Sequence, residues 1–184
     1  MEEVANNIFE SITLDDEKLN NTIIKYDIKN KHDLVEFEIP SKYISKKGKE
    51  KIFTKIGKEL FKNCEKLTKI TLPDTIEKIA QQSFFNCKNL QEINIPANVK
   101  IIGTASFCGC EILKTVILQE GLKEIKAFAF AHCPNIKTIV VPDSVTNIDD
   151  YAFEGIENIK YNGSLAGSPW GAKSINGKTI CNTI

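Results

Sequence analysis

Apolar residues return along this chain at a constant spacing of 23 residues. The phenylalanines show this most clearly, since each step from Phe61 to Phe153 is 23 residues long. Further apolar columns keep the same step, one of them formed by cysteine. The columns are Phe61, Phe84, Phe107, Phe130 and Phe153; Cys64, Cys87, Cys110 and Cys133, then Ile156; Leu67, Leu90, Leu113, Ile136 and Ile159; Ile70, Ile93, Val116 and Ile139; Leu72, Ile95, Leu118 and Val141; Ile76, Val99, Leu122 and Val145; and Ile79, Ile102, Ile125 and Ile148. A fixed period of this length indicates a repeat protein.

Each unit has the pattern L-x-x-I-x-I-P-x-x-V-x-x-I-x-x-x-(A/S)-F-x-x-C-x-x, and its two halves predict different structures. Leu67, Ile70 and Leu72 are typical of a short strand. Pro73 ends this strand because proline has no N–H to donate to a ladder. From Ile76 onward the apolar residues are about three to four positions apart, which indicates turns and short helical segments. Because one unit cannot bury both halves, we expect the units to stack, with parallel strands about 4.8 Å apart.

This pattern resembles leucine-rich repeats, and specifically the BspA-like class, whose units have the form L..I.IP..V..I...AF..C..L. The resemblance extends over residues 29–170, and Gln119 departs from it because proline ends the other strands. The resemblance implies an α/β solenoid: a right-handed superhelix with a parallel β-sheet on the concave face and short turns or helical segments on the convex face. It also implies a non-catalytic binding role, often in cell-surface proteins of host-associated microbes.

The repeat divides the chain into four segments. Residues 61–160 are the regular repeats, and residues 28–60 form a degenerate first repeat, because residues 28–40 align with residues 61–73. In this first repeat, the strand is predicted at Leu34, Phe37 and Ile39, and Phe53 and Ile56 correspond to Ile76 and Ile79. Its insertion, residues 41–52, is rich in lysine. We expect a solvated loop, with a phosphate or acidic-partner site as the alternative. The lysines are Lys42, Lys46, Lys47, Lys49 and Lys51.

Caps are predicted at both ends, since a terminal unit otherwise exposes an apolar cross-section and a sheet edge. Val4, Ile8 and Ile12 recur at helical spacing, so residues 1–27 are predicted to form a helical N-terminal cap. Residues 161–184 break the period and form the C-terminal cap. We interpret Trp170 as a capping residue, with a ligand-stacking aromatic as the alternative.

Charge and hydropathy bound the partners and the compartment. The chain has 24 basic and 24 acidic residues, so no net field attracts nucleic acid. No apolar run approaches the roughly 18 residues of a membrane span, so membrane insertion is not expected. The acidic N-terminus lacks the pattern of a secretory signal, which predicts a cytoplasmic protein. A cell-surface or secreted location is the alternative if a leader has been removed.

The cysteine column suggests a metal site or a buried filler. Cys108, Cys110 and the adjacent pair His132 and Cys133 would supply metal ligands. We prefer the filler, since Ile156 takes the same position and free cysteine behaves as a small apolar residue. Disulfides within the column are not expected, because stacked Cβ atoms would be about 4.8 Å apart. Neither a cofactor nor a metal is predicted, and no G-x-S-x-G, H-E-x-x-H or P-loop pattern indicates an enzyme.

The outward strand positions are the candidate binding residues. In L-x-x-I-x-I the third and fifth positions should face the concave surface, because the first, fourth and sixth face inward. Towards the C-terminal end these positions become apolar, and soluble monomers seldom leave contiguous apolar area open. The alternative is that β-branched residues are simply good strand formers. The candidate partner-binding residues are Lys69, Glu92, Asn94, Thr115, Ile117, Thr138, Val140 and Tyr161, with Glu36, Glu38 and Thr71 completing the rows.

Three classes of function remain. The leading hypothesis is a non-catalytic module that binds a protein partner, of unknown identity, through its concave sheet. The second is a structural, adhesin-like surface protein, which would be a monomer or would associate weakly end to end. An enzyme is the third, and it would need a deep polar pocket that a thin solenoid rarely provides.

Overall fold

The structure is a computed structural model that describes residues 22–23, 33–44, 48–161 and 181–182. Across these residues the regular elements are short β-strands, and no α-helix forms. The strands are β1 (Thr22–Ile23), β2 (Glu36–Glu38), β3 (Lys42–Ile44), β4 (Glu50–Ile52), β5 (Lys55–Ile56), β6 (Lys69–Thr71), β7 (Lys78–Ile79), β8 (Glu92–Ile95), β9 (Ile101–Ile102), β10 (Thr115–Leu118), β11 (Glu124–Ile125), β12 (Thr138–Val140), β13 (Asn147–Ile148), β14 (Asn158–Lys160) and β15 (Cys181–Asn182). The chain is a β-solenoid in which each repeat contributes one strand to each of two parallel ladders.

The front ladder is the sheet predicted for the concave face, and it has two parts. Strands β2, β6, β8 and β10 form one parallel sheet, and β12, β14 and β15 form another. Ile93 lies beside Val116, which confirms the step of 23 residues. Phe37 lies beside Ile70, which confirms the strand predicted in the degenerate first repeat.

The back ladder is a second parallel sheet, of β1, β5, β7, β9, β11 and β13, which the repeat pattern did not predict. Each strand is two residues long and ends in an isoleucine. Ile56 pairs with Ile79, as the alignment of the first repeat predicted, and Ile79 pairs with Ile102. Thr22 and Ile23 join this ladder beside β5. The remaining residues of the predicted N-terminal cap, and Trp170, lie outside the described part of the chain.

Turns or short helical segments were predicted for the other side of the unit; the described residues form turns there and show no helical segment, and the backbone shows why. Two positions in every unit have positive φ, and a left-handed residue interrupts a right-handed helix. They are Glu59, Gln82, Ala105, Phe128 and Tyr151, then Asn63, Asn86, Gly109, His132 and Gly155. Hydrogen bonds instead join neighbouring units, as where the N–H of Phe61 donates to the carbonyl of Ser83 (2.7 Å). This side of the solenoid therefore consists of stacked turns.

Phenylalanine and cysteine columns form the centre of the core. The rings of Phe84 and Phe107 stack with centroids 5.0 Å apart, and the other phenylalanine steps measure 5.2 to 5.9 Å. The cysteines are buried, as predicted, and they also form hydrogen bonds. The thiol of Cys87 donates to the carbonyl of Phe61 (3.1 Å), and Cys110 and Cys133 repeat this contact one and two units further on. The buried thiol thus adds a second hydrogen bond to a turn carbonyl that already accepts from a backbone N–H, as the carbonyl of Phe61 does from the N–H of Cys64 (3.1 Å).

The lysine-rich insertion was predicted to be a loop, but it contains an antiparallel hairpin of β3 and β4, with Tyr43 beside Lys51. The ring of Tyr43 stacks on that of Phe53 at 4.4 Å, so the hairpin packs on the first repeat. Lys42 pairs with Glu50 at 2.9 Å.

The last repeat departs from the spacing. In the regular units the central buried residue of the front strand lies six positions after the cysteine, as Ile139 does after Cys133. In the last repeat the corresponding residue, Ile159, lies only three positions after Ile156. Ile159 consequently pairs with Ile139, and not with Ile136 as the sequence alignment predicted. Each residue of β14 therefore occupies a place in the repeat pattern three positions later than the spacing of 23 residues predicts. An odd shift also exchanges the inward and outward faces of a strand.

Candidate protein-binding face

The outward residues of β6, β8 and β10 lie side by side, as predicted. Glu92 is in register with Lys69 on one side and with Thr115 on the other. Ile117 is in register with Asn94. All five side chains are exposed, while the residues between them face the core, so the strand alternation is confirmed.

These side chains line a hollow of about 240 Å³ on the front ladder. Lys69 and Glu92 give it a charged half, and Ile117 and Thr115 form its more apolar half. Ile70, Leu72 and Ile93 also line it. The hollow therefore offers both hydrogen-bonding and apolar surface.

Gln119 orients one of the polar residues of the hollow. Its side-chain Nε2 donates to Oδ1 of Asn94 at 3.0 Å. Proline occupies this position in the other regular strands and has no side-chain donor. The departure from the repeat pattern at Gln119 thus holds the Asn94 amide in one orientation, with its NH₂ group turned away from Gln119.

We define Ile117 and Val140 as the apolar pair: Ile117 lines the apolar half of the hollow, and Val140 lies one strand further along the front ladder. Ile117 is 50% exposed and Val140 is 49% exposed. They lie on β10 and β12, the strands between which the front ladder is interrupted. In the regular part, the N–H of Lys114 donates to the carbonyl of Gln91 (3.0 Å), but no equivalent bond joins Lys137 to Lys114 in the described residues. The apolar pair therefore straddles a break in backbone hydrogen bonding.

The prediction that Tyr161 faces a partner is wrong. The shift in the last repeat places Lys160 beside Val140, so Tyr161 follows into the core and is fully buried. Its hydroxyl donates to the carbonyl of Val145 at 2.5 Å. The outward residues of β14 are instead Asn158, beside Thr138, and Lys160. The sequence analysis did not identify either residue, because it assumed that the spacing of 23 residues continues through the last repeat.

The described residues also test the metal site that the cysteine column suggested. They contain no group of three or more His, Cys, Asp or Glu residues placed to hold a metal ion. Burial, with smaller effects from Cys133 and Glu154, raises the pKa of Cys108 to about 11, which keeps this thiol protonated at neutral pH. The hydrogen bond with Cys133, together with burial, raises the pKa of Cys110 well above its usual value. Nor does this part of the chain include a helix of the length and apolar character needed to cross a membrane.

The two ladders and the stacked turns define a leucine-rich repeat solenoid. A BspA type leucine-rich repeat region matches residues 21–160 in six copies, so the chain belongs to the BspA-type leucine-rich repeat family. This confirms the resemblance noted from the repeat pattern. No curated protein matches the chain in sequence.

Solved structures show the same architecture. A leucine-rich repeat protein from Bacteroides ovatus is 34% identical with a TM-score of 0.63, covering 74% of this chain and 38% of that one. The T. pallidum leucine-rich repeat protein is 32% identical with a TM-score of 0.61, covering 72% and 57%. A leucine-rich cell surface protein from Faecalibacterium prausnitzii, 20% identical, shares the fold with a TM-score of 0.57, covering 71% and 48%. This chain thus spans less than two thirds of each relative's length.

Proposed function

We propose that this chain is a non-catalytic module that binds a protein partner through the front ladder. Leucine-rich repeat folds generally mediate protein interactions. The observation that carries the proposal is the apolar pair: two large aliphatic side chains, each half exposed, next to a hollow with polar walls. A partly apolar surface with convergent polar groups is typical of protein-binding sites.

The free energy gained by burying the apolar pair is too small to hold a partner by itself. Burying a whole aliphatic side chain contributes about 1.5 to 3 kcal/mol, and Ile117 and Val140 are already about half buried. Covering the apolar pair therefore yields roughly 1.5 to 3 kcal/mol in total, which alone would give only millimolar or weaker affinity. The partner must also contact the hollow, where Lys69, Glu92 and Asn94 supply hydrogen-bonding groups.

A photo-crosslinking experiment tests the proposal. A photoreactive residue replaces Val140 in the full chain, and crosslinked proteins are identified after exposure to an extract of the source cells. We expect a specific protein to be crosslinked from position 140, and the adduct to be lost when Ile117→Lys is added. Ile52, 43% exposed on the hairpin, provides the matched control for both the crosslinker and the lysine substitution.

Either of two results would contradict the proposal. One is that position 52 captures the same proteins as position 140, and the other is that Ile117→Lys leaves the specific adduct unchanged. Circular dichroism of each variant excludes unfolding as the cause of a lost adduct.

A further inference from the structure

We infer that the partner presents a protein segment in which apolar side chains lie next to acidic ones. This inference rests on the proposed function and concerns the surroundings of the apolar pair. The evidence is the distribution of charge along the front ladder, which the neutral total of the chain conceals.

Three exposed lysines border the apolar pair. Lys114 directly precedes β10, and Lys137 directly precedes β12. Lys160 ends β14 and is in register with Val140. The regular spacing would have placed Lys160 in the column of Lys114 and Lys137, and the shift in the last repeat places it beside Val140 instead. We call these residues the lysine border.

The lysine border is not neutralised by described acidic side chains. Other lysines do form ion pairs, among them Lys66 with Asp33 at 2.6 Å and Lys126 with Glu124 at 2.7 Å. In the border, the Nζ of Lys137 donates to the carbonyl of Pro134 (3.2 Å), a contact that leaves its charge in place. Glu157 lies beside Lys137 by the register of β12 and β14, but no ion pair joins them within the described residues. The border therefore retains net positive charge.

One acidic residue of the front ladder, Glu92, lies in the hollow beside Thr115, and Lys69 is in register with it on the other side. The other acidic residues are placed differently. Glu36 and Glu38 are exposed on β2, at the opposite end of the ladder. Glu120 follows β10, where its carboxylate accepts from the N–H groups of Asp143 and Ser144 at 3.1 and 3.2 Å. A field of this arrangement attracts an acidic segment towards the apolar pair and repels a basic one.

A protein segment suits this surface better than nucleic acid does. A polyanion would gain from the lysines, but it would also bury Ile117 and Val140 against its phosphates. Nucleic-acid sites further use exposed aromatic residues for stacking. The exposed aromatic residues Phe128 and Tyr151 lie in the stacked turns and not on the front ladder. Carboxylates flanking aliphatic side chains match both the charge and the apolar pair.

Selection from a library of short random peptides displayed on phage tests the inference with the full chain. One variant carries Ile117→Lys and Val140→Lys, and a second carries Lys114→Glu, Lys137→Glu and Lys160→Glu. The matched control carries Lys78→Glu, Lys100→Glu and Lys123→Glu, the same charge change at exposed positions on or beside the back ladder.

Peptides selected on the wild type should combine Asp or Glu with aliphatic or aromatic residues, and both front-ladder variants should lose them. We expect synthetic copies to bind the Lys114, Lys137 and Lys160 variant roughly tenfold or more weakly, because reversal removes attraction and adds repulsion. The back-ladder control should bind them within about twofold of wild type, and added salt should weaken wild-type binding.

The outcomes separate the two proposals. Peptides that need Ile117 and Val140 but are neutral or basic would overturn the acidic-segment inference and leave the proposed function intact. Acidic peptides that bind the back-ladder control as weakly as the front-ladder variant would also overturn it. Failure to select any peptide that depends on Ile117 and Val140 would count against the proposed function, and the inference would fail with it.

Discussion

The two parts of the front ladder are built from one repeat, yet they differ in hydrogen bonding and in surface. From β2 to β10 the strands form one ladder, whose outward positions carry mostly charged or polar residues. From β12 to β15 the ladder starts again, after an interruption bordered by Ile117 and Val140. The last repeat is shorter than the others, so β12 pairs with β14 in a shifted register. A change in repeat length therefore alters which side chains are exposed on the front ladder, even though the core continues to be filled by apolar residues.

The largest expected effect is in the core of the regular part. Phe107 lies between two rings at 5.0 and 5.2 Å, whereas Phe153 stacks on Phe130 at 5.9 Å. Phe107→Ala should lower the free energy of unfolding by about 3 to 5 kcal/mol, and Phe153→Ala by less, because the ring of Phe153 lies farther from that of Phe130 than the ring of Phe107 lies from its neighbours. Denaturant unfolding measures both changes. An equal or larger loss for Phe153→Ala would show that the last repeat is packed as tightly as the middle.

The hydroxyl of Tyr161 provides a smaller and more specific test. Tyr161→Phe removes the hydrogen bond to the carbonyl of Val145 and should cost about 1 to 2 kcal/mol, since a buried acceptor is left unpaired. Thermal or denaturant unfolding gives the value. If Tyr161 faced solvent, as the constant spacing predicted, the substitution would have no measurable effect.

The interruption itself predicts a difference in amide exchange. The N–H of Lys114 donates to the carbonyl of Gln91, whereas the N–H of Lys137 has no equivalent bond to Lys114. We expect Lys137 to exchange faster than Lys114 by about twofold to tenfold, as the loss of one hydrogen bond implies. Hydrogen exchange resolved by residue in NMR spectra measures the ratio. Equal rates would mean that β10 and β12 are joined in solution.

The smallest expected effect concerns the apolar pair. Ile117→Lys and Val140→Lys should each change the free energy of unfolding by about 0.5 kcal/mol or less, because both side chains are half exposed and face away from the core. Denaturant unfolding of each variant checks this. A loss as large as that of Tyr161→Phe would indicate that these residues stabilise the fold, and binding results from the same variants would then need reinterpretation.

The outward placement of the candidate residues was predicted correctly where the spacing was constant. Lys69, Glu92, Asn94, Thr115 and Ile117 lie together around one hollow because strand alternation has a period of two and each unit repeats in register. Exposure of Thr138 and Val140 was predicted correctly for the same reason. Their role in binding stays a prediction. Tyr161 was assigned to the wrong face. Ile159 is apolar and fits the column of Leu67 and Ile136, so the sequence does not reveal that the last unit is shorter.

The sequence by itself determined the repeat, the stacked core and the family, because each apolar column places one buried side chain over the next. The tertiary structure alone decided what depends on backbone pairing between units. In place of the expected helical segments it has turns that contain residues with positive φ. It also has the back ladder, and it separates β10 from β12. It also moved Lys160 beside Val140. These features depend on which N–H meets which carbonyl across units, and side-chain periodicity does not record that pairing.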